Sequence, residues 1–351
     1  MLDEIAERRR ELARRVLGAN VRRLWCPPIT HYRSGGQLDA QRMAAHWRTM
    51  SPHVGGFLVP GSTGDGWEMD EAEVASTLRE ATSVAADLNS RVLVGVLRTD
   101  VDAMLTVIDS TVSTLRRDTG SNDPIAAMEQ SRVAAFTICP PAGAHLTQAD
   151  LLAGLARVLD RGLPTALYQL PQVTRNEMSP ETFRRLSSQY ANLLMFKDTS
   201  GKDRVPMADG GRAGVLLVRG AEGASAPWLR EAGGCYWGLL LSSANCFAME
   251  YQQVIAMLEA GRLQQASALS ERIAEVVTTV FAQVAGIEEG NAFANANKAL
   301  DHVRAHGHAG CLDVPPPMLH AGVRLPVQTV RAARDALLAH GLAHRQGYLN
   351  S

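Results

Sequence analysis

Between residues 22 and 260 one pattern recurs eight times: a short apolar run, a polar or glycine-rich loop, then a stretch with helical periodicity. The apolar runs fall at 23–27, 54–59, 91–96, 133–138, 164–169, 192–197, 215–219 and 235–240. The helical stretches fall near 38–50, 70–88, 101–117, 147–161, 179–190, 203–210, 222–232 and 246–260. Strands that alternate with helices pair in parallel through right-handed crossovers. Eight such units predict an α/β chain closed into a (β/α)8 TIM barrel. An open doubly wound sheet is the alternative, but no run leads into the G-x-G-x-x-G turn that such sheets use for dinucleotides.

Three regions follow from this pattern: an N-terminal helical extension (1–21), the barrel (22–260) and a C-terminal helical region (261–351). In the extension, Ile5, Leu12 and Val16 repeat at near-helical spacing, which predicts an amphipathic helix over 3–18 docked on the body or on a neighbouring subunit. The arginines at 8–10 are expected to face solvent. Residues 118–131 read as a polar insertion on the face opposite any active site, with no catalytic role. Beyond residue 260 the strand signal ends, and 262–287, 293–306 and 327–341 read as helices separated by Gly/Asn and Pro315-Pro316-Pro317 breaks.

The composition excludes several classes. A formal net charge of -1 gives no reason to expect nucleic acid, and no apolar run is long enough to span a membrane. Five scattered cysteines without zinc spacing, and no secretory segment, fit a reducing cytoplasm.

The sixth apolar run, Asn192-Leu193-Leu194-Met195-Phe196, delivers Lys197 to its C-terminal end. In a barrel, that is the reactive end. A buried lysine either finds a carboxylate or loses its proton, and with a period of two Asp198 points to the other side. A neutral, nucleophilic amine is one reading; a lysine that snorkels to water is the other. The second run enters Gly61-Ser62-Thr63-Gly64-Asp65-Gly66, a turn rich in backbone N–H groups that is either an ordinary strand-to-helix turn or a carboxylate or phosphate cradle. The fifth ends at Tyr168, which is either a core aromatic or a proton shuttle. Together these groups make a chemically complete set for a 2-oxo acid: an amine to attack it, amides to hold its carboxylate and a phenol to move protons.

These stretches resemble the dihydrodipicolinate synthase / N-acetylneuraminate lyase family of pyruvate-handling class I aldolases. The matches are GSTGDG (61–66), YQLP (168–171) and FKDTSG (196–201), with a looser RLP at 324–326. The resemblance implies that Lys197 forms a Schiff base and that Tyr168 is the general acid/base. It further implies that the Ser62 and Thr63 hydroxyls relay protons, and that their amides, with Gly61 and Gly64, grip the keto-acid carboxylate. It implies a homodimer or homotetramer, and no metal or organic cofactor. Two positions depart from the pattern. The synthases carry a tyrosine pair after the fourth strand, where this chain has Ile138-Cys139-Pro140-Pro141-Ala142. They also place an arginine where this chain has Val173, with Arg175 two residues on. The expectation is therefore a lyase or aldolase acting on pyruvate or a larger 2-oxo acid, by aldol cleavage, addition or dehydration, and not a dihydrodipicolinate synthase. A catalytically idle barrel that binds a keto acid as sensor or scaffold is the competing reading.

Other candidates carry less. Glu222, after the seventh strand, and Arg175 could meet the polar tail of a substrate. Trp237 could line the site's wall or pack outward under a helix. His302, His306, His308 and Cys311 read as structural or solvated and not as a metal cluster, since no carboxylate joins them in sequence. Cys139 and Cys246 lack a histidine to make a thiolate, so inert packing is expected.

Overall fold

The computed structural model describes residues 2–209 and 212–349; the outermost ends of the expected 1–21 and 261–351 regions, and the last residue of the expected helix at 203–210, lie outside them. Helix α1 (Leu2–Leu17) precedes β1 (Leu24–Trp25), α2 (Ala40–Met50), β2 (Phe57–Val59), α3 (Glu71–Asp87), β3 (Val92–Val96), α4 (Val101–Thr119), α5 (Pro124–Gln130) and β4 (Val133–Ile138). There follow α6 (Gln148–Leu159), β5 (Thr165–Gln169), α7 (Pro171–Thr174), α8 (Pro180–Gln189), β6 (Leu193–Asp198), α9 (Arg204–Asp209), β7 (Leu216–Arg219), β8 (Gly238–Leu240) and α10 (Ala244–Glu259). Helices α11 (Leu263–Val284), α12 (Ala292–Gly310) and α13 (Val327–Ala339) complete the chain.

Each strand pairs in parallel with the next, β8 returns to β1, and a parallel bridge from Cys26 to Phe57 joins β1 to β2. The ring is a (β/α)8 barrel. Its strands are nearly all buried, as expected of a parallel sheet covered on its outer face by helices and filled on its inner face by side chains. The outer layer of core lies between strands and helices around Phe57, Phe136, Phe183 and Phe196. The inner layer fills the lower barrel with Trp25, Leu58, Leu93, Leu194 and Leu240, and Val16 and Leu17 of α1 pack against it. No helix among the described residues is long and apolar enough to cross a membrane.

Four expectations change on meeting the structure. The 222–232 stretch is no α-helix; it makes two 3-10 turns, Ala226–Trp228 and Arg230–Ala232, because Gly223 and Pro227 interrupt it. The 118–131 insertion holds helix α5, started by Pro124 with the Asp123 carboxylate accepting from the Ile125 N–H. The arginines at 8–10 are not all solvated. Arg9 is buried, donating 2.6 Å bonds to the carbonyls of Leu193 and Ser187, the latter in the last turn of α8, where a cation suits the helix dipole. That clamp fixes α1 beneath β6. Finally, Trp237 neither lines the mouth nor packs outward; it joins the inner layer with Trp25 at the bottom of the barrel.

Candidate active site

Strand β6 carries Lys197 in register with Tyr168 on β5 and Val218 on β7. The lysine is 5% exposed, and among the described residues it has no hydrogen-bond or ion-pair partner. Asp198 turns the other way and accepts the Ser200 N–H at 2.8 Å. The Lys197 amine instead lies 4.1 Å from the centroid of the Tyr168 ring, a contact that favours its cationic form. Burial nevertheless pulls its pKa down to about 8, against an opposing pull from the buried Cys139 thiol and the Glu222 carboxylate. Room for the side chain comes from Gly220: a Cβ there would stand 2.7 Å from the lysine Cε.

The chain holds three lysines, and each meets a different fate. Lys202 is exposed and paired with Glu177 at 2.6 Å. Lys298 is buried and paired with Asp65 at 2.7 Å. Lys197 alone among the three is buried without a counter-ion.

Tyr168 links this amine to the second-strand turn. Burial pushes its phenol pKa up, while hydrogen bonds with the Ser62 and Thr199 hydroxyls pull it back. The Ser62 Oγ in turn accepts the Trp67 indole N–H at 2.9 Å. An indole is a donor only, so this chain of hydroxyls ends at Trp67 and no proton leaves through it. Thr199 Oγ1 donates to the Gln169 carbonyl at 2.7 Å, which aims its lone pairs away from that carbonyl. Neither Trp67 nor Thr199 stands out in the sequence as a site residue, although Thr199 lies inside the FKDTSG stretch.

The turn itself is a 3-10 segment, Ser62–Gly64. Ser62 and Thr63 begin it, so their N–H groups have no carbonyl one turn back to bind. Gly64 and Gly66 both donate to the Gly61 carbonyl at 3.0 Å, so Gly61 and Gly64 shape the turn. A Cβ on Gly64 would come within 2.6 Å of the Pro28 carbonyl. Asp65 ends the segment at φ 61°, a left-handed conformation that aspartate and asparagine tolerate. Helix α12 braces the turn from behind: the Asn291 amide donates to the Ser62 carbonyl at 3.0 Å, and Lys298 binds Asp65.

The remaining sequence candidates fall out as follows. Glu222 faces the lysine electrostatically, but its carboxylate accepts both Ser242 Oγ (2.6 Å) and Ser243 Oγ (2.5 Å), which ties β7 to β8. Arg175 caps α7 and is exposed. Cys139, Tyr168 and Leu170 form an apolar cluster with Trp67 and Val173 at the mouth. Burial raises the Cys139 thiol pKa to about 12 and pushes that of Cys246 well above the ordinary thiol range, so both stay protonated. His302 bonds the Cys311 carbonyl at 2.8 Å and packs its ring against His306, a structural arrangement.

Among the described residues one trio of possible metal ligands converges, His31, His46 and Asp301, with ligand atoms within 4.8 Å of one another. Its atoms are already engaged. His46 Nε2 bonds the Asn245 carbonyl at 2.8 Å, His31 Nε2 faces His46 Nδ1 at 3.1 Å, and Asp301 accepts from Arg42 and from the Tyr348 hydroxyl. Burial works to raise the Asp301 pKa, yet Arg42 and the two imidazoles hold it well below the ordinary carboxylate range. A guanidinium on the carboxylate repels a dication, so the trio serves as a hydrogen-bonded brace between α2 and α12.

The Dihydrodipicolinate synthetase family matches residues 123–289. A 4-hydroxy-tetrahydrodipicolinate synthase of Xanthomonas campestris is 27% identical over 312 residues, covering 87% of this chain and 89% of its own. A second, of Saccharophagus degradans, is 26% identical, covering 61% and 74%. The fold is similar to that of YagE, a prophage protein from E. coli K12 in complex with pyruvate, at TM-score 0.70 and 18% identity over 92% of this chain and 100% of that one. It is also similar to KD(P)GA from T. tenax, at TM-score 0.67 and 19% identity over 91% and 99%. Motifs, barrel and matches point the same way: residues 123–289 match the dihydrodipicolinate synthetase family, and the chain is similar to its members in sequence and in fold.

Proposed function

We propose that the chain is a Schiff-base lyase or aldolase acting on pyruvate or a larger 2-oxo acid. The observation that carries this reading is Lys197, buried without a counter-ion and facing a tyrosine bonded to the turn that offers two open amides. The neutral amine attacks the ketone carbon, the ketone oxygen takes a proton delivered by Tyr168, and water leaves as the C=N bond forms. The Ser62 and Thr63 amides hold the adjacent carboxylate. The protonated imine then draws the electrons of a neighbouring C–C bond into an enamine, which cleaves the aldol; the reverse path adds an aldehyde. In forming that imine, the lysine nitrogen sheds one proton through Tyr168 to the ketone oxygen, and a second from solvent completes the departing water, which leaves the imine protonated; the Ser62 hydroxyl orients the phenol. Every residue in this account comes from one chain, and one structure of similar fold is described as a monomeric dihydrodipicolinate synthase variant. A dimer or tetramer remains part of the proposal without supplying a site residue.

The electrophile is the finer question. The curated relatives are named 4-hydroxy-tetrahydrodipicolinate synthase, which favours that activity as the second reading. Against it stands the apolar cluster of Cys139, Leu170 and Val173 at the mouth, which offers a carboxylate-bearing aldehyde no cation. Pyruvate should therefore condense faster with neutral or hydroxylated aldehydes than with a carboxylate-bearing one, followed by pyruvate consumption. The opposite preference restores the synthase reading, and imine formation without turnover across the panel favours a keto-acid-binding barrel.

Two further results are expected. Tyr168→Phe should slow turnover by about 10²–10⁴-fold, the range for a positioned acid/base; a near-normal rate removes it from the mechanism. Below the lysine pKa of about 8 the amine is mostly protonated and cannot attack. Borohydride trapping with pyruvate should then quicken by about tenfold per pH unit at low pH and level off above about 8. A flat profile across that range contradicts the assignment.

A further inference from the structure

Behind the keto-acid turn, on the side away from Lys197, lies a cavity of about 330 Å³. Its walls are the β1–α2 loop, α2, α12 and the Pro315–Pro317 segment, and neither Lys197 nor Tyr168 lines it. The volume suits a small metabolite. The charge is lopsided: Arg33, Arg42, Lys298 and Arg324 line it against Asp39 and Asp301.

The inner wall is the informative part. Lys298 is 2% exposed, and its ammonium has three N–H groups. Within the protein it donates to Asp65 at 2.7 Å and lies 4.7 Å from the Tyr32 ring centroid, leaving donors without a protein acceptor among the described residues. A buried ammonium with spare donors calls for an acceptor from the cavity. At the rim, Arg33 is 60% exposed with only a loose 3.8 Å pairing to Asp39, and Arg324 spans the Pro316 carbonyl (2.6 Å) and Ser34. Both guanidiniums are placed to close over an occupant as bidentate donors.

We propose that this cavity binds a small oxyanion, carboxylate or phosphate, with Lys298 as its innermost contact and Arg33 and Arg324 as its rim. The site goes beyond the keto-acid reading and does not rest on it. It also touches the catalytic turn directly, because Thr30 donates to the Gly64 carbonyl at 2.7 Å and Lys298 holds Asp65. An occupant that takes the spare Lys298 donors therefore shares its ammonium with the contact that braces the turn.

Isothermal titration of the full chain with inorganic phosphate and, separately, with malonate tests this and tells the two chemistries apart. Lys298 stays in place, since removing it strands Asp65; the variant is Arg33→Ala/Arg324→Ala, both exposed and free of any role in the core. Saturable binding of at least one anion is expected, weakened by about tenfold or more in the double variant, as the loss of charge-assisted bonds implies. Saturable binding should persist in Lys197→Ala, which separates the cavity from the barrel mouth. No saturable binding of either anion, or an unchanged affinity in the double variant, overturns the proposal.

Discussion

Replacing Lys298 with methionine is expected to destabilise the chain by about 3–5 kcal/mol, the cost of leaving one member of a buried ion pair alone. The two side chains are each 1% exposed, and the pair ties α12 to the turn at Ser62–Gly64. Water cannot reach the carboxylate left behind, so it must either protonate or open the structure. The double variant Lys298→Met/Asp65→Asn should recover most of the loss. Asparagine carries no charge, and it tolerates the φ of 61° that position 65 requires. Urea denaturation of the native chain and the two variants measures this directly. Equal losses in the single and double variants would mean that lost packing, and not the stranded charge, sets the cost.

Lys197→Met should move two readouts in opposite directions. Turnover and imine trapping are lost with the amine. Stability should rise, because the native site holds a lysine whose protonated form burial disfavours. The sign follows from linkage: the folded pKa of about 8 lies below the unfolded value, so the cost is fully present below pH 8 and fades as pH climbs from there toward about 10.4. Its size at neutral pH is on the order of 3 kcal/mol, taken from the shift at about 1.4 kcal/mol per unit. Thermal unfolding at pH 7 and at pH 10 checks it. The variant should melt above the native chain at pH 7, and the gap should narrow at pH 10. A variant less stable than the native chain at pH 7 would show that Lys197 is not held against its solvation. Such a trade between stability and chemistry is common at reactive sites.

Most of the fold was legible because a parallel barrel makes its strands apolar on both faces. Runs such as Val92–Val96 and Val133–Ile138 therefore announce themselves, and the polar and glycine-rich loops between them mark where the strands end. What escaped depends on contacts between distant segments. Arg9 looks like its neighbours Arg8 and Arg10 in sequence; only the carbonyls waiting at the end of α8 distinguish it. The stretch after β7 has helical composition, but Gly223 and Pro227 divide it, and Glu222 turns back to the serines that follow β8.

The site shows the same division. Lys197, Tyr168 and the Ser62–Thr63 turn were readable because barrel topology brings strand ends together whatever their distance in sequence. Trp67 and Thr199 were not, since their part depends on where one tyrosine hydroxyl points. Lys298 offered a signal: a lysine amid Ala294-Asn295-Ala296-Asn297, in a chain with three lysines, sits among small residues that pack closely and so belongs inside. Its partner, Asp65, could be named only once α12 lay against the turn.

Scarcity of lysine makes the central claim directly measurable. The full chain is incubated with pyruvate, reduced with borohydride and digested, and the peptides are mapped by mass. The account predicts one adduct, on the peptide that carries Lys197, with Lys202 and Lys298 untouched, since each is ion-paired, the first to Glu177 and the second to Asp65. An unmodified Lys197, or an adduct carried by either of the other two, would contradict it.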